Sequence, residues 1–238
     1  MSAVVWHDLE CGSYARDLDV WRELAAEHGE PILDVGAGTG RVTLDLARRG
    51  HAVTALDCDP ALLAALAERA GGVPVETVLG DAREFELGRR FALIIVPMQT
   101  IQLLGGAEGR RRFLRRARQH LASGGAVAVA ITDTLELFEV SEGIGAPLPD
   151  ICEIAGVVYS SQPTAVRTDG DGFVLERRRE TVSTDGSRLV AEDRIRLDAV
   201  TASELQREAG EAGLGAAGVV TVPATADYVG SEVVVFRG

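Results

Sequence analysis

The sequence predicts an α/β protein built on a doubly wound, mostly parallel seven-stranded sheet, with helices on both faces and a small antiparallel insertion after the fifth strand. Apolar runs of strand length alternate with helix-period segments over the first half of the chain, and parallel neighbours need such crossovers. The runs are near-continuously apolar, as strands covered on both faces must be. After Thr132 the texture changes, and two β-rich runs flank the turn signal Thr184-Asp185-Gly186, which reads as a hairpin.

The elements follow in order. Tyr14, Leu18, Trp21, Leu24 and Ala25 recur at helical spacing, so residues 14–28 predict an amphipathic helix ending near Gly29. Residues 31–35 form a first strand, broken by Gly36-Ala37-Gly38-Thr39-Gly40, and Val42, Leu44, Leu46 and Ala47 continue as a helix up to Gly50. A second strand, 52–56, ends at Asp57, and Pro60 opens the next helix at the first-turn position where a missing N–H costs nothing. Residues 73–79 and 91–96 give the third and fourth strands, 110–121 a helix, Gly124-Gly125 a turn and 126–131 the fifth strand. Gly143, Gly145, Pro147 and Pro149 mark an irregular stretch, followed by β-rich runs at 157–159, 174–182 and 189–197. Thr201 with Glu204 three residues on reads as a capping box opening a helix over 201–212, and strands at 218–222 and 232–236 close the sheet. The organisation this implies is an N-terminal helical cap (1–30), a core (31–132), an antiparallel substrate-side insertion (133–200) and a C-terminal helix and strands completing the core (201–238).

Acidic residues outnumber basic ones 36 to 24 in the 238-residue chain, a net charge of −12 that repels a phosphate backbone unless a local basic patch opposes it. Arg110, Arg111, Arg112, Arg115, Arg116 and Arg118 are spread around one helix, so they read as a solvated surface and no nucleic-acid partner is expected. Cys11, Cys58 and Cys152 show neither C-x-x-C spacing nor a neighbouring His cluster, which suggests no disulfide framework and no metal site. Asp8, Glu10, Asp17, Asp19, Glu23, Glu27 and Glu30 are incompatible with a secretory leader, and no apolar run approaches membrane-spanning length. The expectation is a cytoplasmic protein with no membrane partner, its oligomeric state left open.

The segment Leu33-Asp34-Val35-Gly36-Ala37-Gly38-Thr39-Gly40 carries glycines at alternate positions, which lets backbone approach a ligand that a Cβ would hold away. A dinucleotide fingerprint, G-x-G-x-x-G, would need glycine at position 41, where Arg41 stands. The segment instead resembles motif I of the class I, Rossmann-like S-adenosylmethionine-dependent methyltransferases of the small-molecule type, and the likeness continues in order along residues 6–132. The resemblance implies S-adenosyl-L-methionine as cofactor, with S-adenosyl-L-homocysteine as product. It implies contacts to the methionine part from Gly36, Ala37 and Gly38, with Asp34 orienting the loop. Asp57, 21 residues after Gly36 at the end of a strand, is placed to accept from two ribose hydroxyls, while Asp59 before Pro60 suits a helix N-cap. Cys58 is expected against adenine as a small apolar wall. Gly80-Asp81-Ala82-Arg83 matches the family's adenine segment, in which the carboxylate (Asp81) accepts from the exocyclic amine and the next N–H (Ala82) meets the ring.

The fourth strand runs into Val96-Pro97-Met98-Gln99-Thr100, where cofactor and acceptor meet at the strands' carboxyl ends. Relatives that methylate adenine or amide nitrogens carry an Asn- or Asp-Pro-Pro-aromatic segment there, and this chain does not, which favours a small-molecule acceptor. Residues 7–17 resemble the N-terminal helix that closes over the cofactor in many small-molecule methyltransferases. There Tyr14 or Arg16 holds the methionine carboxylate, or else Tyr14 packs in the core and Arg16 lies on the surface. His28, His51 and His120 read as surface or capping residues. Displacement at a sulfonium needs chiefly alignment and exclusion of water. A base matters only if the acceptor must lose a proton, for which His7, Tyr14 and Gln99 are the candidates. The expected function is methyl transfer to an N or O nucleophile; the alternatives are a non-catalytic S-adenosylmethionine-binding subunit or regulator, and a nicotinamide-dependent oxidoreductase.

Overall fold

The computed structural model describes residues 2–132, 135–140, 147–225 and 228–238. Helix α1 (Ser2–His7) runs into a π-helical turn, Asp8–Gly12, and α2 spans Leu18–His28. Then come β1 (Ile32–Val35), α3 (Arg41–Arg48), β2 (Val53–Asp57), α4 (Pro60–Ala70), β3 (Val75–Leu79) and β4 (Phe91–Val96). A 3₁₀ turn (Thr100–Leu103), α5 (Gly106–His120) and β5 (Leu121–Ile131) follow. Five further strands are β6 (Phe138–Glu139), β7 (Asp150–Ile154), β8 (Val157–Asp169), β9 (Gly172–Val182) and β10 (Arg188–Asp198). The chain closes with α6 (Ala202–Glu211), β11 (Gly215–Val222) and β12 (Ser231–Arg237). No helix among the described residues is long and apolar enough to cross a membrane.

Two compact units result, one of residues 14–133 and 200–238, the other of residues 1–13 and 134–199. In the larger, the strand order is β11-β12-β5-β4-β1-β2-β3, parallel from β5 to β3, with β12 antiparallel to both β5 and β11. This is the doubly wound sheet of the sequence reading. Successive strand residues enter opposite layers: Leu33, Ile94 and Val96 pack with Phe113, Leu205 and Phe236, whereas Ile32, Leu93 and Ile95 pack with Trp21, Val42 and Leu46. Both faces are therefore roofed by helices, and that double burial is why the strands are apolar without alternation. Strand order reverses between β1 and β4, which puts a crevice at their carboxyl ends.

The smaller unit is an antiparallel sheet of order β10-β9-β8-β6, with β7 also on β8. It is the insertion the texture change announced, and the turn at 184–186 closes β9 against β10. The unit's α1 is held to the sheet by Glu10, a buried carboxylate that accepts from Arg179 Nε and Nη2 at 2.8 Å each, from Ser161 Oγ at 2.7 Å and from Arg177 Nη1 at 3.2 Å. Burial alone would raise the Glu10 carboxyl, but the Arg179 bonds, with Arg177 and Ser161, hold it below its ordinary value. Arg179 also lies 5.4 Å over the Trp6 ring, which meets Tyr159 edge-on.

Several boundaries differ from the sequence reading. Helix α2 starts at Leu18 and not near residue 14: Leu18 N–H turns to the Ala15 carbonyl, while the Tyr14 carbonyl accepts from Arg41 Nη1 at 2.8 Å. Residues 2–12 are helical too, ahead of the helix that the apolar spacing placed at 14–28. Residues 150–154, given no element by the sequence, are strand β7 paired to β8, which itself runs far past residue 159; Gly143 and Gly145 lie outside the described residues. The α5 arginines are not a merely solvated face: Arg110 is buried and makes a two-pronged pair with Glu208 of α6 at 2.8 and 2.9 Å. Arg111, Arg112, Arg115 and Arg116 each meet a glutamate, and Arg118 donates to the Gly213 carbonyl. His120 is buried and takes the capping role at the end of α5. Its Nε2 accepts from Leu87 N–H at 3.1 Å, which leaves Nδ1–H to donate to the Arg116 carbonyl at 2.8 Å.

Candidate functional site: the carboxyl rim of the parallel sheet

The rim of the larger unit begins with the glycine loop after β1. Gly36 and Gly38 have φ of 73° and 57°, and a Cβ on Gly36 would come within 2.4 Å of the Thr100 side chain, so only glycine fits. Gly40, φ 94°, ends the loop as the N-cap of α3, where Leu66 of α4 leaves no room for a side chain. The N–H groups of Gly36 and Ala37 both turn to the Leu56 carbonyl, and Gly38 N–H donates to Asp57 Oδ2 at 2.7 Å. These donors are thus taken within the protein, so the glycines offer carbonyls and bare Cα surface.

Asp57, at the tip of β2, has its other oxygen on Asp59 N–H at 2.9 Å. A carboxylate has about four acceptor positions, so its clamp on the loop leaves capacity for outside donors. Asp59 caps α4 as expected, accepting from Ala61 and Leu62 N–H. Next to Asp57 the chain leaves β3, with Gly80 N–H on the Asp57 carbonyl, and Asp81 follows. Sequence reading missed its partner: Arg83 grips Asp81 through Nε and Nη2 at 2.6–3.1 Å and through its backbone N–H at 2.7 Å. Those bonds hold the Asp81 carboxyl below its ordinary value. Cys58 is exposed, and its thiol is pushed up by desolvation and by the Asp57 carboxylate, so it stays protonated at neutral pH. Ala82 is half-buried beside Asp81.

Asp34 lies beneath the loop, 1% exposed, with Oδ2 accepting from Thr43 Oγ1 at 2.6 Å. Burial pushes its pKa up to about 6, against the opposing pull of Thr43 and Arg41. Its Oδ1 is buried without a hydrogen-bond partner. A buried acceptor left unpaired is costly, so this oxygen beside the glycine loop fits a ligand bearing N–H or ammonium donors, as an amino-acid-bearing nucleoside does.

At the end of β4, Pro97 is buried and Met98 has φ of 55°, strain of the kind that collects at functional rims. Gln99 is half-buried, its carbonyl opening the 3₁₀ turn. Sequence reading missed Gln102, which is 1% exposed and pairs with both the N–H and the C=O of Thr132 at 2.9 Å, fastening the turn to the end of β5. Tyr14 is buried, its ring 4.8 Å from that of Tyr228 and its hydroxyl bonded to Ser231, and desolvation with Asp17 raises its pKa. Arg16 is exposed. His7 belongs to the smaller unit, 4.0 Å from the Asp8 carboxylate. Among the described residues, no three His, Cys, Asp or Glu side chains are grouped to hold a metal.

A glycine bend, an acid at the tip of the next strand and a second acid after the third, on a sheet of order 3-2-1-4-5-7-6, are the arrangement that the resemblance to class I S-adenosylmethionine-dependent methyltransferases led us to expect. Residues 32–125 match the family model described as a methyltransferase domain. It is 32% identical over 108 residues to the cypemycin N-terminal methyltransferase of a Streptomyces species, covering 45% of this chain and 44% of that one. It is 31% identical over 122 residues to the dTDP-4-amino-2,3,4,6-tetradeoxy-D-glucose N,N-dimethyltransferase of Saccharopolyspora spinosa, covering 45% and 48%. The chain thus spans less than half the length of these relatives. The sugar N-methyltransferase KedS8 of a Streptoalloteichus species shares the fold, with a TM-score of 0.74 and 19% identity over 100% of this chain and 93% of the other.

Proposed function

We propose that the protein transfers a methyl group from S-adenosyl-L-methionine to the nitrogen or oxygen of a small-molecule acceptor. The observation that carries the reading is the triad of the glycine loop, Asp57 and Asp81, which leave consecutive strands of one rim with Asp34 Oδ1 unpaired beneath. Asp57 accepts from the ribose, Asp81 with Ala82 recognises the adenine edge, Cys58 and Pro97 wall the site, and Gly36, Ala37, Gly38 and Tyr14 face the methionine part. The sulfonium supplies an electrophilic methyl; the chain's part is to align the acceptor and exclude water.

The two relatives described above act on amines by name, which favours a nitrogen acceptor, and the net charge of −12 steers cations inward. We assign acceptor specificity to residues 133–200. In support, the smaller unit holds a cavity of about 360 Å³ whose lining includes Val5, Leu9 and Ile151 with the carboxylates Asp8 and Asp150, a lining suited to an apolar body bearing an amine. A nucleic-acid acceptor is disfavoured because the α5 arginines are neutralised by partners, Arg110 by the buried Glu208 and Arg111, Arg112 and Arg116 by glutamates at the surface.

Calorimetry with S-adenosyl-L-homocysteine, followed by mass-spectrometric screening of amines and hydroxyl compounds with S-adenosyl-L-methionine, tests the reading. Binding together with a 14-dalton gain on one of them is expected. Absence of binding overturns it, NAD binding in its place points to an oxidoreductase, and binding without transfer to any acceptor leaves a regulator.

A further inference from the structure

Arg41 opens α3 directly after the glycine loop, at the positive end of the helix dipole, where a cation is unfavourable. It is nevertheless largely covered, with its side chain 10% exposed. Its two terminal nitrogens grip Asp17 at 2.6 and 2.8 Å, and Nη1 also takes the Tyr14 carbonyl at 2.8 Å. Asp17 is 2% exposed and accepts in addition from Trp21 Nε1 at 2.8 Å. The guanidinium lies 5.1 Å from the centre of the Tyr14 ring. One side chain thus holds the Tyr14 backbone and sits one residue from the loop.

An ion pair this deep contributes little net stability over an apolar pair of the same shape. What it supplies is geometry, since a planar fork on a carboxylate and a carbonyl holds its three partners to one arrangement. We infer that Arg41 and Asp17 are positioning residues, a latch that ties the segment bearing Tyr14 to the glycine loop so that the cofactor meets a preformed surface on both. This rests on the cofactor reading above. It concerns residues that contact no ligand themselves and act through Tyr14 and the loop.

The test pairs two measurements on the purified full chain: amide hydrogen exchange of residues 14–18 without ligand, and calorimetric affinity for S-adenosyl-L-homocysteine. The double variant Asp17→Asn/Arg41→Met removes both charges, keeps an acceptor for Trp21 and strands no buried ion. It should melt close to the unaltered protein, exchange faster at 14–18 and bind about tenfold more weakly, the affinity that preorganisation had supplied. Arg41→Lys keeps the charge but not the fork and should fall between the two, which guards against a double variant that fails to fold. Unchanged exchange in both variants overturns the latch. Faster exchange with affinity within about twofold makes the pair structural only, and the positioning role falls. If the unaltered protein binds no S-adenosyl-L-homocysteine, the cofactor reading and the positioning role fall together, while the exchange data still decide whether the segment is latched.

Discussion

The most exacting test of the rim concerns Asp34, a carboxyl 1% exposed whose pKa is pushed up to about 6 from its ordinary value of 3.8. The sign follows from proton binding. Between those two values the folded chain holds a proton the unfolded chain has released, so stability falls as pH rises through the window. A gap of about two units corresponds to about 3 kcal/mol lost once both states are ionised at pH 8, and to about 1 kcal/mol already lost at pH 4.5. Asp34→Asn cannot ionise. Its amide keeps an acceptor for Thr43 Oγ1, and whatever its NH₂ costs beside the loop is the same at every pH. The stability of the variant minus that of the unaltered protein should therefore rise by about 2 kcal/mol from pH 4.5 to pH 8. In a chain of this size that is a relative gain of about 4–8 °C in melting temperature. Circular-dichroism melts of both proteins across that range measure it. A difference flat with pH would refute the claim that Asp34 is ionised against its surroundings.

Two other substitutions bear on the frame. Gly36→Ala places a Cβ 2.4 Å from Thr100 Cγ2 at a φ of 73°, so a loss of about 2–4 kcal/mol is expected from the clash and the left-handed backbone together; denaturant unfolding reads it, and a loss under about 0.5 kcal/mol would mean that the loop has room. Arg110→Met strands Glu208 in the core and should cost about 3–5 kcal/mol, whereas Arg110→Met/Glu208→Leu should recover most of it. Arg115→Ala on the exposed side of the same helix should stay within about 0.5 kcal/mol.

The parallel core was legible because each strand satisfies two apolar layers at once, so Ile32 to Val35 and Phe91 to Val96 read as unbroken runs whatever their neighbours. Caps were legible for the same local reason: Asp59 and Thr201 find their partners within three residues. The smaller unit was legible only as a hairpin. Strand β7 and the extension of β8 lack a strong period, since residues 150–154 are largely exposed, and the helical start of the chain is secured by Glu10 reaching arginines 167 and 169 positions away. No window of local sequence contains that bond.

The same distance rule separates what was visible of the rim from what was not. Gly36, Asp57 and Asp81 announce themselves by falling at the ends of strands, a property of spacing. Their working geometry comes from contacts spacing does not encode: the Asp57 clamp on Gly38, the Gln102 pairing with Thr132 and the Arg41 fork on Asp17. In the sequence Arg41 served only to exclude a dinucleotide fingerprint, because its charge, read alone, suggests a solvated surface. Folded, it is a largely covered cation at the wrong end of a helix dipole, tolerable only because Asp17, 24 positions earlier, is buried against it. A charge whose local setting is unfavourable and whose remote partner is buried with it has been placed by the tertiary arrangement, and that is the ground for testing this pair ahead of the α5 arginines that meet glutamates at the surface.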